Sequence, residues 1–174
     1  RGVGPGRVTM NVLAALKVTA FLVFILAGFA FGTGPFANVT AYAGNVTPTN
    51  WLFAFIPVML AFSGWNASSY VAEEIRNPGR NLPRSLAIGT LAVIAVYLGI
   101  NLLYLFVFSV TELAALKGSV LDVVAERLLG EGAGHVMGIV SIVSLLASNS
   151  AMTFAGPRVY FAMARDNVFF KSAA

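Results

Sequence analysis

A single lysine, Lys17, stands inside a long run of apolar residues. It lies about seven residues into a predicted helical span that begins near Met10, which at 1.5 Å per residue is roughly 10 Å into the hydrocarbon. One interpretation is that the lysine stem extends to the membrane surface and keeps its ammonium in water. The other is that the ammonium faces the interior of a helix bundle, as a fixed cation or a proton carrier.

The second predicted span is a poor helix in its middle. Residues 61–69 read Ala-Phe-Ser-Gly-Trp-Asn-Ala-Ser-Ser and follow Pro57. A helix broken near mid-membrane exposes backbone N–H and C=O groups, which transporters use to hold charged parts of a substrate. The alternative is a packing face, because small residues let neighbouring helices approach closely. Trp65 and Asn66 beside Gly64 favour the binding site, since neither side chain is small.

A charged loop closes the second span. It contains Glu73, Glu74, Arg76, Arg80 and Arg84 together with two prolines, a pattern typical of a stop before the next helix. Paired carboxylates are also found in metal and acid–base sites, but neither histidine nor cysteine lies near them in the sequence. We therefore interpret Glu73, Glu74, Arg76 and Arg80 as gating salt bridges and expect no metal and no cofactor.

The composition shows which elements must position these residues. Hydrophobic residues make up 58% of the 174 residues and charged residues only 10%, against about 25% charged in soluble domains. Residues 18–72, 85–111 and 132–157 carry no charged side chain, and a helix needs only about 20 apolar residues to cross a bilayer. These features exclude a soluble enzyme and a nucleic-acid-binding domain, and they predict an integral membrane protein.

Four helical spans are predicted, at about residues 10–31, 51–71, 85–108 and 136–161. Helices are expected because lipid offers no partner to unpaired backbone groups. Apolar and charged residues alternate between 111 and 131 with the spacing of one or two short amphipathic helices at a membrane surface. We treat residues 1–174 as one all-helical membrane domain.

The distribution of lysine and arginine predicts the orientation. One side of the predicted topology receives only Lys117 and Arg127. The other side receives the remaining loop and terminal cations: Arg1, Arg7, Arg76, Arg80, Arg84, Arg158, Arg165 and Lys171. Cytoplasmic loops carry the excess of positive charge, so both ends of the chain are predicted to be cytoplasmic and the 111–131 segment to be extracellular.

Several of these motifs resemble those of amino-acid permeases. The run from Phe62 to Asn66, followed by residues 70–83 (Tyr-Val-Ala-Glu-Glu-Ile-Arg-Asn-Pro-Gly-Arg-Asn-Leu-Pro), is similar to the sixth helix and following loop of the amino acid–polyamine–organocation superfamily. The L-type amino-acid transporter branch fits best. Residues 1–18 resemble its fifth helix with the loop before it, and residues 158–166 resemble the end of its eighth.

The resemblance implies a partial LeuT-type inverted-repeat fold, in which the chain supplies helices five to eight of twelve. By the same resemblance, carbonyl groups around Leu60, Ala61, Phe62 and Ser63 bind the α-amino group of an amino acid. Trp65 and Asn66 line or seal the pocket. Lys17, near Ser148, takes the place that sodium holds in sodium-coupled relatives.

The predicted function is therefore sodium-independent amino-acid transport at the plasma membrane, by exchange or proton symport with alternating access. The expected partners are an amino-acid substrate, the lipid bilayer and the remaining helices 1–4 and 9–12, and no nucleic acid. The alternatives are a cationic amino-acid or polyamine carrier and a structural bundle without transport. An intramembrane enzyme using Glu73, Glu74 and His135 is disfavoured, because the predicted topology places the glutamates and the histidine on opposite sides.

Overall fold

The computed structural model of the chain describes residues 4–32, 34, 38, 47–170 and 172, with the backbone alone at residues 4–7 and 154. Arg1 and Lys171, two of the cations that predict the orientation, lie outside the described residues. All regular structure in the described part is helical. In chain order the elements are α1 (Gly4–Phe31), α2 (Pro48–Ala61), a 3-10 helix (Trp65–Glu74), α3 (Pro78–Val107), α4 (Val110–Ala115), α5 (Val120–Leu129) and α6 (Ala133–Arg165).

Four segments of the described chain are long and apolar enough to cross a membrane. They are Val8–Phe31, Pro48–Glu74, Pro78–Val107 and Ala133–Arg165, and each exceeds the roughly 20 residues that a span requires. The predicted all-helical membrane architecture with four spans is therefore confirmed. Helix α3 begins before its uncharged stretch, at Pro78, and α6 continues past its own to Arg165, because the charged and polar residues there still form helical turns.

The second span is divided into two parts. Helix α2 ends at Ala61, and Gly64 has φ +87°, a left-handed conformation that glycine adopts without steric cost. The chain then continues as 3-10 helix from Trp65 to Glu74, in two parts that meet at a kink at Val71, where the backbone is not helical. Runs of 3-10 helix longer than three or four residues are uncommon and often mark a functional hinge. The small polar residues after Phe62 thus coincide with a real interruption of the helix.

The segment between α3 and α6 forms two short helices, which we call the lid (α4 and α5, residues 110–129). The Ser109 hydroxyl caps α4 by accepting a hydrogen bond from the Glu112 backbone N–H. The Glu112 carboxylate in turn accepts from the Ser109 N–H at 2.8 Å and from the Ser109 hydroxyl at 2.7 Å. Ser119 caps α5 at the Asp122 N–H. Such reciprocal caps satisfy N–H groups that a short helix otherwise leaves unpaired.

The best-packed region lies where the lid meets three spans. The buried cluster contains Phe24 from α1, Leu103 and Phe106 from α3, Val124 and Ala125 from α5, and Met137 from α6. Leu103 and Val124 are fully buried. A Cβ at Gly28 would lie 2.7 Å from Leu103 Cδ1, so α1 and α3 approach closely because this position has no side chain. Helix α5 of the lid is therefore fixed to one end of the bundle.

The cap of α4 should make the lid sensitive to acid. The hydrogen bonds from Ser109 hold the pKa of Glu112 below its ordinary value of 4.5, so the stabilisation is present at neutral pH and is lost as the pH falls below 4.5 through the lowered pKa. We expect the amide protection factors of residues 110–115 to decrease over that range. Ser109→Ala should lower protection at neutral pH and flatten its pH dependence. An unchanged acid profile in this variant would contradict the assignment.

Candidate functional site

The break in the second span opens onto a cavity of about 450 Å³, which we call the central cavity. Its wall comes from α1, α3, α6, the last residue of α2, the start of the 3-10 helix and the residues between these two elements. Seven of the predicted site residues line it: Lys17, Ala61, Phe62, Ser63, Gly64, Trp65 and Ser148. Residues separated by up to 131 positions along the sequence are thus brought to one place.

Lys17 is partly buried and lies at a junction between two cavities. Besides the central cavity it lines a second space of about 360 Å³, whose other walls are mostly apolar. Ser148 and Tyr97 also line both spaces. Lys17 therefore contributes its positive charge where the two cavities adjoin, beside the hydroxyl groups of a serine and a tyrosine.

Tyr97 is a site residue that the sequence did not single out. Its hydroxyl donates a hydrogen bond to the Ala61 carbonyl at 3.0 Å, and its ring meets the Phe62 ring edge to face, with centroids 5.3 Å apart. The last carbonyl groups of a helix have no partner within that helix, so Tyr97 satisfies one of them at the end of α2. The sequence feature that could have indicated Tyr97 is a tyrosine within an apolar span, because a buried tyrosine hydroxyl usually has a hydrogen-bond partner.

Removing the Tyr97 hydroxyl should weaken the fold at the break. In Tyr97→Phe the Ala61 carbonyl loses this hydrogen bond, and a typical hydrogen bond contributes a net of about 0.5–1.5 kcal/mol to stability. We expect a lower thermal unfolding midpoint of the purified protein in detergent. Tyr160→Phe is the matched control, because the Tyr160 side chain is 54% exposed. Equal midpoints for the two variants would show that the hydrogen bond contributes nothing.

Two predicted site residues lie outside the wall of the central cavity. Leu60 is 71% exposed on α2, one residue before the helix end. The Asn66 side-chain amide donates to the Tyr70 hydroxyl at 3.0 Å, while the Asn66 backbone carbonyl accepts from the Ser69 hydroxyl at 2.6 Å. Asn66 thus stabilises the 3-10 helix internally. Besides Tyr97, three hydroxyl side chains outside the prediction line the cavity: Ser68, Ser85 and Thr90.

The end of the 3-10 helix is joined to the end of α6 by two ion pairs. Glu73 pairs with Arg165 and Glu74 pairs with Arg158, and a cavity of about 420 Å³ lies between these two elements. The gating prediction had named Arg76 and Arg80, but within the described part of the chain neither is in an ion pair. The carboxylates instead pair with arginines more than eighty residues away, because the 3-10 helix packs against α6.

The described residues contain no group of three or more acidic or histidine side chains positioned to bind a metal ion. His135 is exposed in the first turn of α6, whereas Glu73 and Glu74 pair near the last turn of the same helix. A helix of 33 residues, such as α6, is about 50 Å long at 1.5 Å per residue. The histidine and the glutamates therefore do not form one site.

The sequence matches a known protein family along nearly its whole length. The model of the family described as "Amino acid permease" matches residues 1–173. The chain belongs to this family. The permease is therefore a multi-pass membrane protein of a transporter family and not an enzyme, as the sequence motifs predicted.

Individual relatives are similar over most of the chain. The mouse b(0,+)-type amino acid transporter 1 is 31% identical over 90% of the permease, which covers 33% of that relative. The serine/threonine exchanger SteT of Bacillus subtilis is 30% identical over 72% of the permease and is covered to 28%. The mouse large neutral amino acids transporter small subunit 2 is 35% identical over 65% and is covered to 21%.

The permease sequence thus spans about a third or less of the length of these curated relatives. No solved structure matches it significantly. The family is consequently established from sequence, and the geometry of the site comes from the present structure.

Proposed function

We propose that the complete protein containing this sequence is a secondary active amino-acid transporter that works without sodium, by exchange or by proton symport. The observation that carries the proposal is the central cavity at the broken second span. It combines the end of a helix with a lysine inside an otherwise uncharged span. Family membership supplies the general class of cargo, since the relatives are named as amino-acid transporters and exchangers.

The end of α2 is suited to an ammonium group. Carbonyl groups at a helix C-terminus carry partial negative charge and attract cations. The carbonyls of Ala61, Phe62 and Ser63, three residues that line the central cavity, are therefore our proposed ligands of the substrate's α-amino group. The Ala61 carbonyl is held in place by the hydrogen bond from the Tyr97 hydroxyl, so the position of one of these carbonyls is fixed by α3.

Lys17 supports the proposal of sodium independence. Lys17 lines the cavity together with Ser148, and a fixed positive charge on this side chain would repel a sodium ion and supply the charge that sodium provides elsewhere. We further propose that the chain forms helices five to eight of a twelve-helix LeuT-type fold in the plasma membrane. In this arrangement both of its ends are cytoplasmic and the lid is extracellular.

A carrier of cationic amino acids or polyamines is the second candidate. Such a carrier needs an acidic group facing its substrate. Among the described residues, the wall of the central cavity contains one charged side chain, that of Lys17, and no carboxylate. This electrostatic environment favours neutral zwitterionic substrates over cationic ones.

The deciding experiment is uptake of labelled amino acids into proteoliposomes that contain the complete protein. Uptake that requires unlabelled amino acid inside, and no sodium, would establish exchange. Uptake driven by an inward proton gradient would establish symport. The absence of saturable uptake of any amino acid would overturn the proposal and favour a structural bundle.

We also propose that the ion pairs of Glu73 and Glu74 close the cytoplasmic side of the transport path. Glu73→Arg places two guanidinium groups together and should slow exchange severalfold, because the repulsion opposes closure. Combining it with Arg165→Glu restores a pair of opposite charge and should recover most of the rate. Arg76→Glu, a charge reversal outside the pairs, serves as the control. A double variant as slow as Glu73→Arg would contradict this role.

A further inference from the structure

One face of α3 combines exposed arginines with a continuous apolar stripe. Arg80 and Arg84 are one helical turn apart and both exposed. The stripe continues through Ile88 (69% exposed), Leu91 (65%), Leu98 (60%) and Leu102 (44%). At 100° per residue these six positions fall within an arc of about 80°. Ile100, which is buried against the bundle, lies on the opposite side of the helix.

The two arginines have no acidic partner within the described residues. Glu73 and Glu74, the nearest carboxylates in the sequence, pair with Arg165 and Arg158. Residues 75–111 contain neither aspartate nor glutamate. Two positive charges therefore stand one turn apart at the end of an apolar span, where the surface of the bilayer begins.

The dimensions of this face match those of a phospholipid. Ile88 and Leu91 lie about 6 and 10 Å beyond Arg84 along the helix axis, within the roughly 15 Å of hydrocarbon in one leaflet. A phosphate group at the arginines would thus direct an acyl chain along the stripe. Guanidinium groups bind phosphate oxygens in a bidentate manner.

We propose that Arg80 and Arg84, with the stripe through Ile88 and Leu91, form a binding surface for an anionic phospholipid of the adjoining leaflet. The charge on the arginines selects the headgroup, and the apolar stripe holds the acyl chain. Arg76 precedes the helix and is exposed, so it adds positive charge beside the same surface. The surface faces away from Tyr97 and the central cavity, and its occupancy does not depend on which substrate is transported.

The test uses a tryptophan at the stripe as a local reporter. Ile88→Trp is introduced into the complete protein, which is reconstituted in an equimolar mixture of phosphatidylglycerol and phosphatidylcholine with bromine on either the one lipid or the other. The protein without this tryptophan provides the background. The ratio of quenching by the two lipids gives their relative binding constant beside Arg84, and Leu91→Trp is a second reporter if the first variant fails to fold.

We expect phosphatidylglycerol to be preferred at this position. Arg80→Gln with Arg84→Gln should lower the preference by roughly fivefold for each arginine removed, whereas Arg80→Lys with Arg84→Lys keeps the charge and should retain most of it. Lys117→Gln with Arg127→Gln, which removes two charges from the lid, should leave the ratio unchanged. Equal quenching by both lipids, or a preference that persists in the double glutamine variant, would overturn the proposal. Absence of quenching by either lipid would also overturn it, because another part of the protein would then cover the stripe.

Discussion

Replacing Lys17 with alanine should lower amino-acid uptake by about tenfold or more, the size of a typical coupling between two bound groups. The variant loses the ammonium where the two cavities adjoin, beside Ser148 and Tyr97. Without this fixed charge, the substrate-loaded state of the transporter should be less stable. The helix that carries residue 17 should be unaffected. The measurement is initial uptake into proteoliposomes, normalised to the amount of inserted protein.

Two further variants separate the charge of Lys17 from its position. Lys117→Ala removes an exposed lysine from the lid and should leave uptake close to that of the unmodified protein. Lys17→Arg keeps the charge on a longer planar group and should recover only part of the rate. Unchanged uptake in Lys17→Ala would remove this residue from the mechanism. It would favour the interpretation in which the Lys17 side chain extends to the membrane surface and keeps its ammonium in water.

The second large effect is expected on stability. Leu103 is fully buried in the cluster that joins α1, α3, α5 and α6, and it also fills the space beside Gly28. Leu103→Ala should therefore destabilise the protein by about 2–5 kcal/mol, because a cavity remains that the packed helices cannot close. The change is measured by thermal unfolding in detergent, with the loss of the monodisperse chromatographic peak as the signal.

Leu102 provides a matched control for this prediction. It is the preceding residue of the same type on the same helix, but 44% exposed. Leu102→Ala should shift the midpoint much less, since it removes few contacts within the protein. Similar midpoints for the two variants would mean that the cluster does not stabilise the bundle.

The spans were predictable because lipid imposes a simple requirement. A stretch such as 85–111 without a charged residue can be buried in hydrocarbon only as a helix, and α3 covers most of it. The interruption after Ala61 was also predictable, since Gly64 and the small polar residues beside it are poor helix formers. Both features depend on residues that are neighbours in the sequence.

The partners of these residues were not predictable in the same way. The hydrogen bond between Tyr97 and Ala61 joins positions 36 residues apart, and the pair of Glu73 with Arg165 joins positions 92 apart. A local pattern shows that a charge or a carbonyl group needs a partner, but the packing of helices determines which partner it receives. For the same reason, the resemblance that named Leu60 and Asn66 did not anticipate their positions outside the cavity wall.

The interrupted second span also has a consequence for the synthesis of the protein. Of the four spans it has the lowest hydropathy, and the free energy for entering a bilayer from the insertion machinery rises with each polar residue near the middle of a segment. This segment therefore gains less from entering lipid alone than α1 or α3 does. Its retention in the membrane during translation should depend on the arrival of α3, whose Tyr97 supplies a partner for the carbonyl at the break. The residue types that open the cavity thus make insertion of this span a cooperative event between neighbouring helices.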